Sequence, residues 1–241
     1  MLKIVDTVAD LALTGAQLFA RLAKKAQADH GMFRVALSGG TTPRRLYETL
    51  AKPPFVTGVD WSRVCLFWGD ERHVPHDAPQ SNFGMAKLAF LGAVSVPPEQ
   101  VFPIPYLSTA EASARAYEKT LRTIWSEDVP CFDLLFLGLG GDGHTASLFP
   151  GSKALDETAR WACPSQPLAG GAERVTLTYP VLNNAAAICF LVAGADKAAI
   201  VERVMTGTKE GTPLPAERLQ PARDRLVWLL DRAAAARVGP I

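Results

Sequence analysis

Short apolar runs alternate along this chain with amphipathic stripes of helical spacing, and each chemically unusual loop directly follows an apolar run. Residues 32–37, 64–68, 132–137, 174–178, 187–192 and 226–230 read as strands. Val8, Leu11, Leu18, Phe19, Leu22 and Ala26 share one helical face, with Arg21, Lys24 and Lys25 off it. Pro43 suits a first helical turn, which Leu46, Tyr47 and Leu50 continue. Ser81 or Asn82 can cap a helix carrying Met85, Leu88 and Leu91. Ser108 and Glu111 have capping-box spacing for a helix reaching Trp125. A helix over 196–205 and a short Ala-rich helix from Asp231 close the pattern, and the Pro-rich stretch 94–105 reads as an ordered surface loop. This alternation predicts an α/β fold, a doubly wound and mostly parallel sheet with helices on both faces, as a single domain over 1–241. In such sheets ligands gather beyond the carboxyl ends of the strands, where the winding reverses.

Bulk composition excludes several classes. Lys+Arg number 25 and Asp+Glu 24, a net charge of +1, so no charged surface stands ready for nucleic acid or an anionic membrane. No apolar run approaches the roughly 20 residues of a membrane span. Asp6 and Asp10 precede the apolar stretch 11–20, which argues for a surface helix rather than a signal peptide. Cys65, Cys131, Cys163 and Cys189 have neither CxxC nor zinc-ribbon spacing, as in a reduced, cytoplasmic protein.

Three loops carry chemistry. Ser38-Gly39-Gly40-Thr41-Thr42-Pro43 joins a strand to a helix start, where free N–H groups and the positive dipole end suit a phosphate monoester. The competing reading is an ordinary tight turn. Arg44 and Arg45 oppose the dipole of that first turn, which an anion there would offset; alternatively both extend into water. Trp68-Gly69-Asp70-Glu71-Arg72-His73 puts four ionisable residues at a strand end, either a functional cluster or a solvated one. His73, His76 and Asp77 lack a recognised ligand spacing, so no metal is expected.

Gly138-Leu139-Gly140-Gly141-Asp142-Gly143-His144-Thr145-Ala146-Ser147 is the most informative segment. Its G-x-G-x-x-G match does not make a dinucleotide site, because Pro150, Gly151 and Ser152 cut the following helix short and Asp156 and Glu157 do not end an apolar strand. His144 stands where a helix would begin, which would hold the imidazole neutral for general-base work, with Asp142 orienting the ring. A structural capping histidine is the alternative. Arg174 begins one strand and Lys197 follows another, each a surface charge if taken alone.

These segments, with Ser81-Asn82, Arg174-Val175-Thr176-Leu177-Thr178 and Gly194-Ala195-Asp196-Lys197, resemble the 6-phosphogluconolactonase family in order and combination. The resemblance implies a Rossmann-like fold shared with glucosamine-6-phosphate deaminases. It also implies hydrolysis of 6-phospho-D-glucono-1,5-lactone in the oxidative pentose phosphate pathway by a monomer with no cofactor. Deaminases carry a carboxylate where this chain has Phe149, which argues against that branch. On this expectation the phosphate meets Gly39, Gly40, Thr41 and Thr42, aided by Ser38, Arg174 and Lys197. His144 activates water. Arg72 or a glycine N–H near Gly140 and Gly141 stabilises the oxyanion, and Asp70 and Asn82 order Arg72 or the sugar hydroxyls. Ser147 is a conceivable nucleophile, but it lacks a G-x-S-x-G elbow. A sugar-phosphate sensor is a further alternative, although no helix-turn-helix is evident.

Overall fold

The computed structural model describes residues 1–167, 170–207, 212–221 and 225–239. Its strands are β1 (Leu2–Val5), β2 (Phe33–Leu37), β3 (Val64–Trp68), β4 (Asp70–Arg72), β5 (Val101–Phe102), β6 (Leu134–Leu137), β7 (Ala162–Ser165), β8 (Arg174–Leu177), β9 (Ile188–Val192) and β10 (Leu226–Asp231). The helices are α1 (Val8–His30), α2 (Thr41–Leu50), α3 (Phe55–Gly58), α4 (Asn82–Ala86), α5 (Ala110–Trp125), α6 (Tyr179–Asn184) and α7 (Ala198–Thr206).

Among the described residues, seven strands form a parallel sheet in the order β1-β10-β9-β6-β2-β3-β5. β6 and β9 are buried along their whole length, which is why they read as continuous apolar runs rather than alternating ones. From β2 the chain winds outward to β3 and β5, then returns to lay β6 on the other side of β2. The winding therefore reverses between β2 and β6, with Val35 opposite Leu134 and Ala36 opposite Leu135. The loops leaving these two strands open the crevice where such sheets bind ligands.

Several expectations are corrected. The predicted strand 174–178 is β8, which leaves the parallel sheet and lies between β4 and β7 in an antiparallel sheet of three strands. Gly69 provides the break that lets β4 start anew after β3, with its N–H still on the Leu37 carbonyl. The stretch 94–105 is more than a loop, because Val101 and Phe102 pair with Leu66 and Phe67 as β5. β1 was not anticipated; four residues are too few for a period to show. The cap of α5 is Thr109 rather than Ser108, its hydroxyl accepting from the Ala112 N–H at 3.1 Å, while Glu111 pairs with Arg115 and Arg160. Ser81 caps α4, but one π-helical turn over Lys87–Leu91 shifts the phase and leaves Leu88 91 % exposed. The Ala-rich tail forms successive turns instead of a helix, because the Asp231 carboxylate ties the Ala234 N–H and the Gly194 N–H together.

Glu71 fastens the small sheet to α4. It is 3 % exposed. One carboxylate oxygen accepts from the N–H groups of Arg72 and Asn82 at 2.8 and 2.6 Å. The other accepts from the Phe83 N–H and the Ser81 hydroxyl at 2.8 and 3.0 Å. Burial raises its pKa above the ordinary value and outweighs these hydrogen bonds. Its stabilising contribution is therefore complete below the ordinary carboxylate range and declines as pH rises through the raised value. Glu71→Gln turns an amide donor toward a backbone donor and should lower the unfolding free energy by about 1–3 kcal/mol. Urea denaturation across that pH window checks both effects: the variant falls below wild type and loses the Glu71-dependent slope.

Candidate active site

Six chain segments converge on one cavity of about 410 Å³. Ser38, Gly39 and Gly40 enter from the end of β2, Asp70 and Arg72 from β4, and Asn82 from α4. Gly140, Gly141 and His144 follow β6, Arg174 opens β8, and Lys197 ends the turn after β9. Thr41, Thr42 and Asp142 are not part of its lining. The threonines belong to the first turn of α2, one step behind the glycines.

No helix begins at His144, contrary to expectation. The segment 141–150 is a series of turns, because Gly143 adopts φ +82° and Thr145 pairs with Leu148 in an isolated bridge. The helix-dipole argument for a neutral imidazole therefore falls, and so does any pyrophosphate site at such a helix. The loop itself holds the ring. His144 Nδ1 lies 2.5 Å from Asp142 Oδ1, and the His144 N–H donates to the same oxygen at 3.1 Å. Donation from Nδ1 to a carboxylate leaves the Nε2 lone pair for a proton. Burial pushes the Asp142 carboxyl upward, but the His144 N–H, the His144 charge and the ring hydrogen bond outweigh it and hold the pKa below the ordinary value. Gly140 packs under the ring: a Cβ there would lie 2.1 Å from Nδ1. The Phe149 ring flanks the other side, centroids 4.6 Å apart.

Glycine donors in this loop are partly committed. The Gly140 N–H goes to the His144 carbonyl at 2.8 Å and the Gly143 N–H to the Gly140 carbonyl at 3.0 Å. Gly141 is exposed and lines the cavity. Opposite, α2 starts at Gly40 (φ +108°) with no side-chain cap, so its first N–H groups keep their capacity for an anion. Arg44 turns to Glu48 at 2.9 Å on the exposed face, so nothing ties it to that anion. The Ser38 hydroxyl and Asn82 Oδ1 are buried in the cavity wall without a partner among the described residues. Gly39 must lack a side chain, since its Cβ would fall 1.7 Å from Asn82 Oδ1.

Arg72 and Arg174 stand directly opposite each other across β4 and β8. Among the described residues their guanidinium groups donate to carbonyls alone, Arg72 to Gln80 at 2.5 Å and Arg174 to Ala172 at 3.1 Å. Burial, reinforced by Arg72, lowers the Arg174 pKa. Lys197 Nζ lies 4.0 Å from the exposed Asp196. Asp70 and Glu71, expected in an exposed cluster, are buried. Asp70 accepts the Ser147 hydroxyl at 2.6 Å, and Asn82 Nδ2 donates to the Asp70 carbonyl at 2.9 Å. Arg72 is thus held by Gln80 rather than by Asp70 or Asn82, and the Ser147 proton faces a carboxylate and no imidazole. Asp133 lies at the other end of the sheet, receiving the Arg34 N–H and the His30 ring. His73 and His76 direct Nε2 to the carbonyls of Leu107 and Ile104.

Sequence reasoning missed Ala146, a non-glycine residue at φ +46° in the cavity wall, and the support of Gly143 by Ala216, whose N–H meets its carbonyl at 3.0 Å. No local pattern signals either. Glu71 was visible as part of its charge run, but its buried role was not.

One Asp-oriented imidazole thus shares the cavity with Arg72, Arg174, Lys197 and the glycines before α2. The family of glucosamine-6-phosphate isomerases/6-phosphogluconolactonase matches residues 6–228. A 6-phosphogluconolactonase of Synechocystis is 40 % identical over 220 residues, covering 90 % of this chain and 89 % of the relative. The structure of 6-phosphogluconolactonase from Trypanosoma cruzi superposes with a TM-score of 0.88 at 28 % identity, covering 99 % of this chain and 97 % of that one. A monomeric glucosamine-6-phosphate deaminase reaches a TM-score of 0.81 at 19 % identity, over 98 % of this chain and 99 % of that one, a likeness of fold alone. With nearly its whole length matched, the chain belongs to the glucosamine-6-phosphate isomerase/6-phosphogluconolactonase family.

Proposed function

We propose that the chain hydrolyses 6-phospho-D-glucono-1,5-lactone to 6-phosphogluconate, as a monomeric single-domain enzyme of the cytoplasm with no metal or organic cofactor. The observation that carries this reading is an Asp-oriented imidazole in the same cavity as two opposed arginines. Like charges directly opposite each other across strands repel. Among the described residues no carboxylate lies within ion-pair distance of either arginine, so a dianionic ligand is the natural counter-charge. The uncapped start of α2 adds donors to the same wall.

The substrate's phosphate lies at Gly39 and Gly40 with Arg174 and Lys197, which fixes the lactone carbonyl toward His144. His144 Nε2 takes a proton as water attacks the carbonyl carbon. The tetrahedral oxyanion is met by Arg72 or the Gly141 N–H. The bond from this carbon to the ring oxygen then breaks, and the imidazolium returns the proton to that oxygen. Asn82 Oδ1 accepts from a ligand hydroxyl, and the Ser38 hydroxyl donates to the phosphate or to a sugar oxygen.

Deamination of an amino sugar phosphate is less well supported. The position expected to carry a second acid holds Phe149, 7 % exposed, its ring tilted 52° against the imidazole. A coupled assay on freshly generated lactone, corrected for spontaneous opening, should show acceleration, with no ammonia released from glucosamine-6-phosphate. The reverse pattern would overturn the assignment.

His144→Ala should lower kcat by roughly 10²–10⁴ with inhibition by 6-phosphogluconate little changed. Asp142→Asn, which loses the carboxylate that orients the ring, should lower kcat within the same rough range of 10²–10⁴. Arg174→Ala should mainly raise KM; steady-state kinetics that showed only a kcat loss would place Arg174 at the carbonyl instead.

A further inference from the structure

We propose that Tyr47 is a positioning residue for the anion-binding turn, its phenol holding the backbone of Ser38 so that Ser38-Gly39-Gly40 keeps the shape that receives a phosphate. The proposal rests on the functional reading above. Ser38 is the first residue past β2, beyond the last ladder pair Leu37–Trp68. No strand satisfies its backbone. The Tyr47 phenol does so on both sides, accepting from the Ser38 N–H at 3.0 Å and donating to the Ser38 carbonyl at 2.8 Å.

Tyr47 is fully buried, and burial raises its phenol far above the ordinary value, so it remains a donor at every working pH. It sits on α2, the helix whose uncapped start is the other half of the cradle. One phenol therefore fixes strand exit and helix start relative to each other. The Ser38 hydroxyl, by contrast, has no partner among the described residues, and Ser38 lines the cavity. The backbone is held by the fold and the side chain is left for ligand.

An internal control exists one strand over. The Tyr117 phenol from α5 bridges the N–H and carbonyl of Trp68 in the same way, at 3.1 and 2.9 Å. Trp68 is not part of the cavity lining. The two tyrosines are thus matched in burial and bonding, and only Tyr47 holds a residue that faces the ligand.

The test compares Tyr47→Phe with Tyr117→Phe. Inorganic phosphate binding is measured by calorimetry, alongside Tm, KM and kcat on the phosphorylated lactone. Both variants should lose a similar amount of Tm. Tyr47→Phe should weaken phosphate binding and raise KM by about tenfold, a change of about 1.4 kcal/mol, with kcat and its pH profile kept. Tyr117→Phe should leave phosphate binding unchanged. p-Aminophenylalanine at position 47 keeps a para donor for the Ser38 carbonyl and should fall between wild type and Tyr47→Phe, and it serves as the reporter if the phenylalanine variant does not fold. Equal phosphate affinity in wild type and the position-47 variants, or equal loss in both tyrosine variants, would overturn the proposal. Calorimetry needs no turnover: a wild-type protein that binds phosphate without opening the lactone sinks the catalytic reading and leaves the positioning test standing.

Discussion

The reversal of winding between β2 and β6 is the constraint on which the site depends. Two strands about a hundred residues apart in the chain become direct neighbours, and their loops must leave in different directions. One loop carries Ser38-Gly39-Gly40 and the other the imidazole of His144. The pairing is pinned at its amino-terminal end, where the Asp133 N–H donates to the Arg34 carbonyl at 2.9 Å and the Asp133 carboxylate accepts from the Arg34 N–H at 2.7 Å. His30, closing α1, reaches the same carboxylate at 2.8 Å. A carboxylate far from the chemistry thus sets the register that brings the chemistry together.

Charge is distributed unevenly around that crevice. The carboxylates closest to the arginines are already engaged: Asp70 with Ser147, and Glu71 with four donors of the neighbouring turn. Each is buried, and burying an ionised group is costly unless its hydrogen bonds are complete. Their role is to hold β4, α4 and the His144 loop in register while leaving the guanidinium groups free of direct ion pairs. Positive charge is thereby kept available for a ligand. The Arg72–Arg174 opposition is a local repulsion that the fold tolerates because both side chains retain carbonyl partners.

Much of this was legible in the sequence, and the limits have physical causes. Strand runs such as 64–68 and 187–192 were visible because central parallel strands are apolar throughout. The crevice-lining residues were visible because small and ionisable residues clustered after strands. The small antiparallel sheet was not, because a strand's partner and direction are set by tertiary pairing, which a four-residue run such as Arg174–Leu177 does not signal. The turn structure after Gly140 was misread as a helix start, since a glycine-rich loop after a strand has the same composition in both cases. Glu71 looked like one more exposed charge. Only the placement of four donors around it makes burial tolerable.

The two faces of the imidazole bear on the kind of reaction the site can run. Nδ1 is committed to Asp142, so His144 can shuttle one proton through Nε2 and no more. Phe149 occupies the flank where a second acid would stand. Chemistry that must open a stable sugar ring and also protonate a leaving amine needs two proton-transfer groups acting at different atoms. A lactone needs less. Its carbonyl is already electrophilic, and the proton that leaves water is the one the ring oxygen requires when the bond breaks. A single histidine performs both transfers if carbonyl and ring oxygen stay within reach of the same Nε2. Holding the far end of the substrate at the phosphate turn limits its motion to that arc. On the proposed function, specificity for a phosphorylated lactone and economy in catalytic groups have the same origin, a turn that receives the phosphate set across the sheet's reversal from one oriented imidazole.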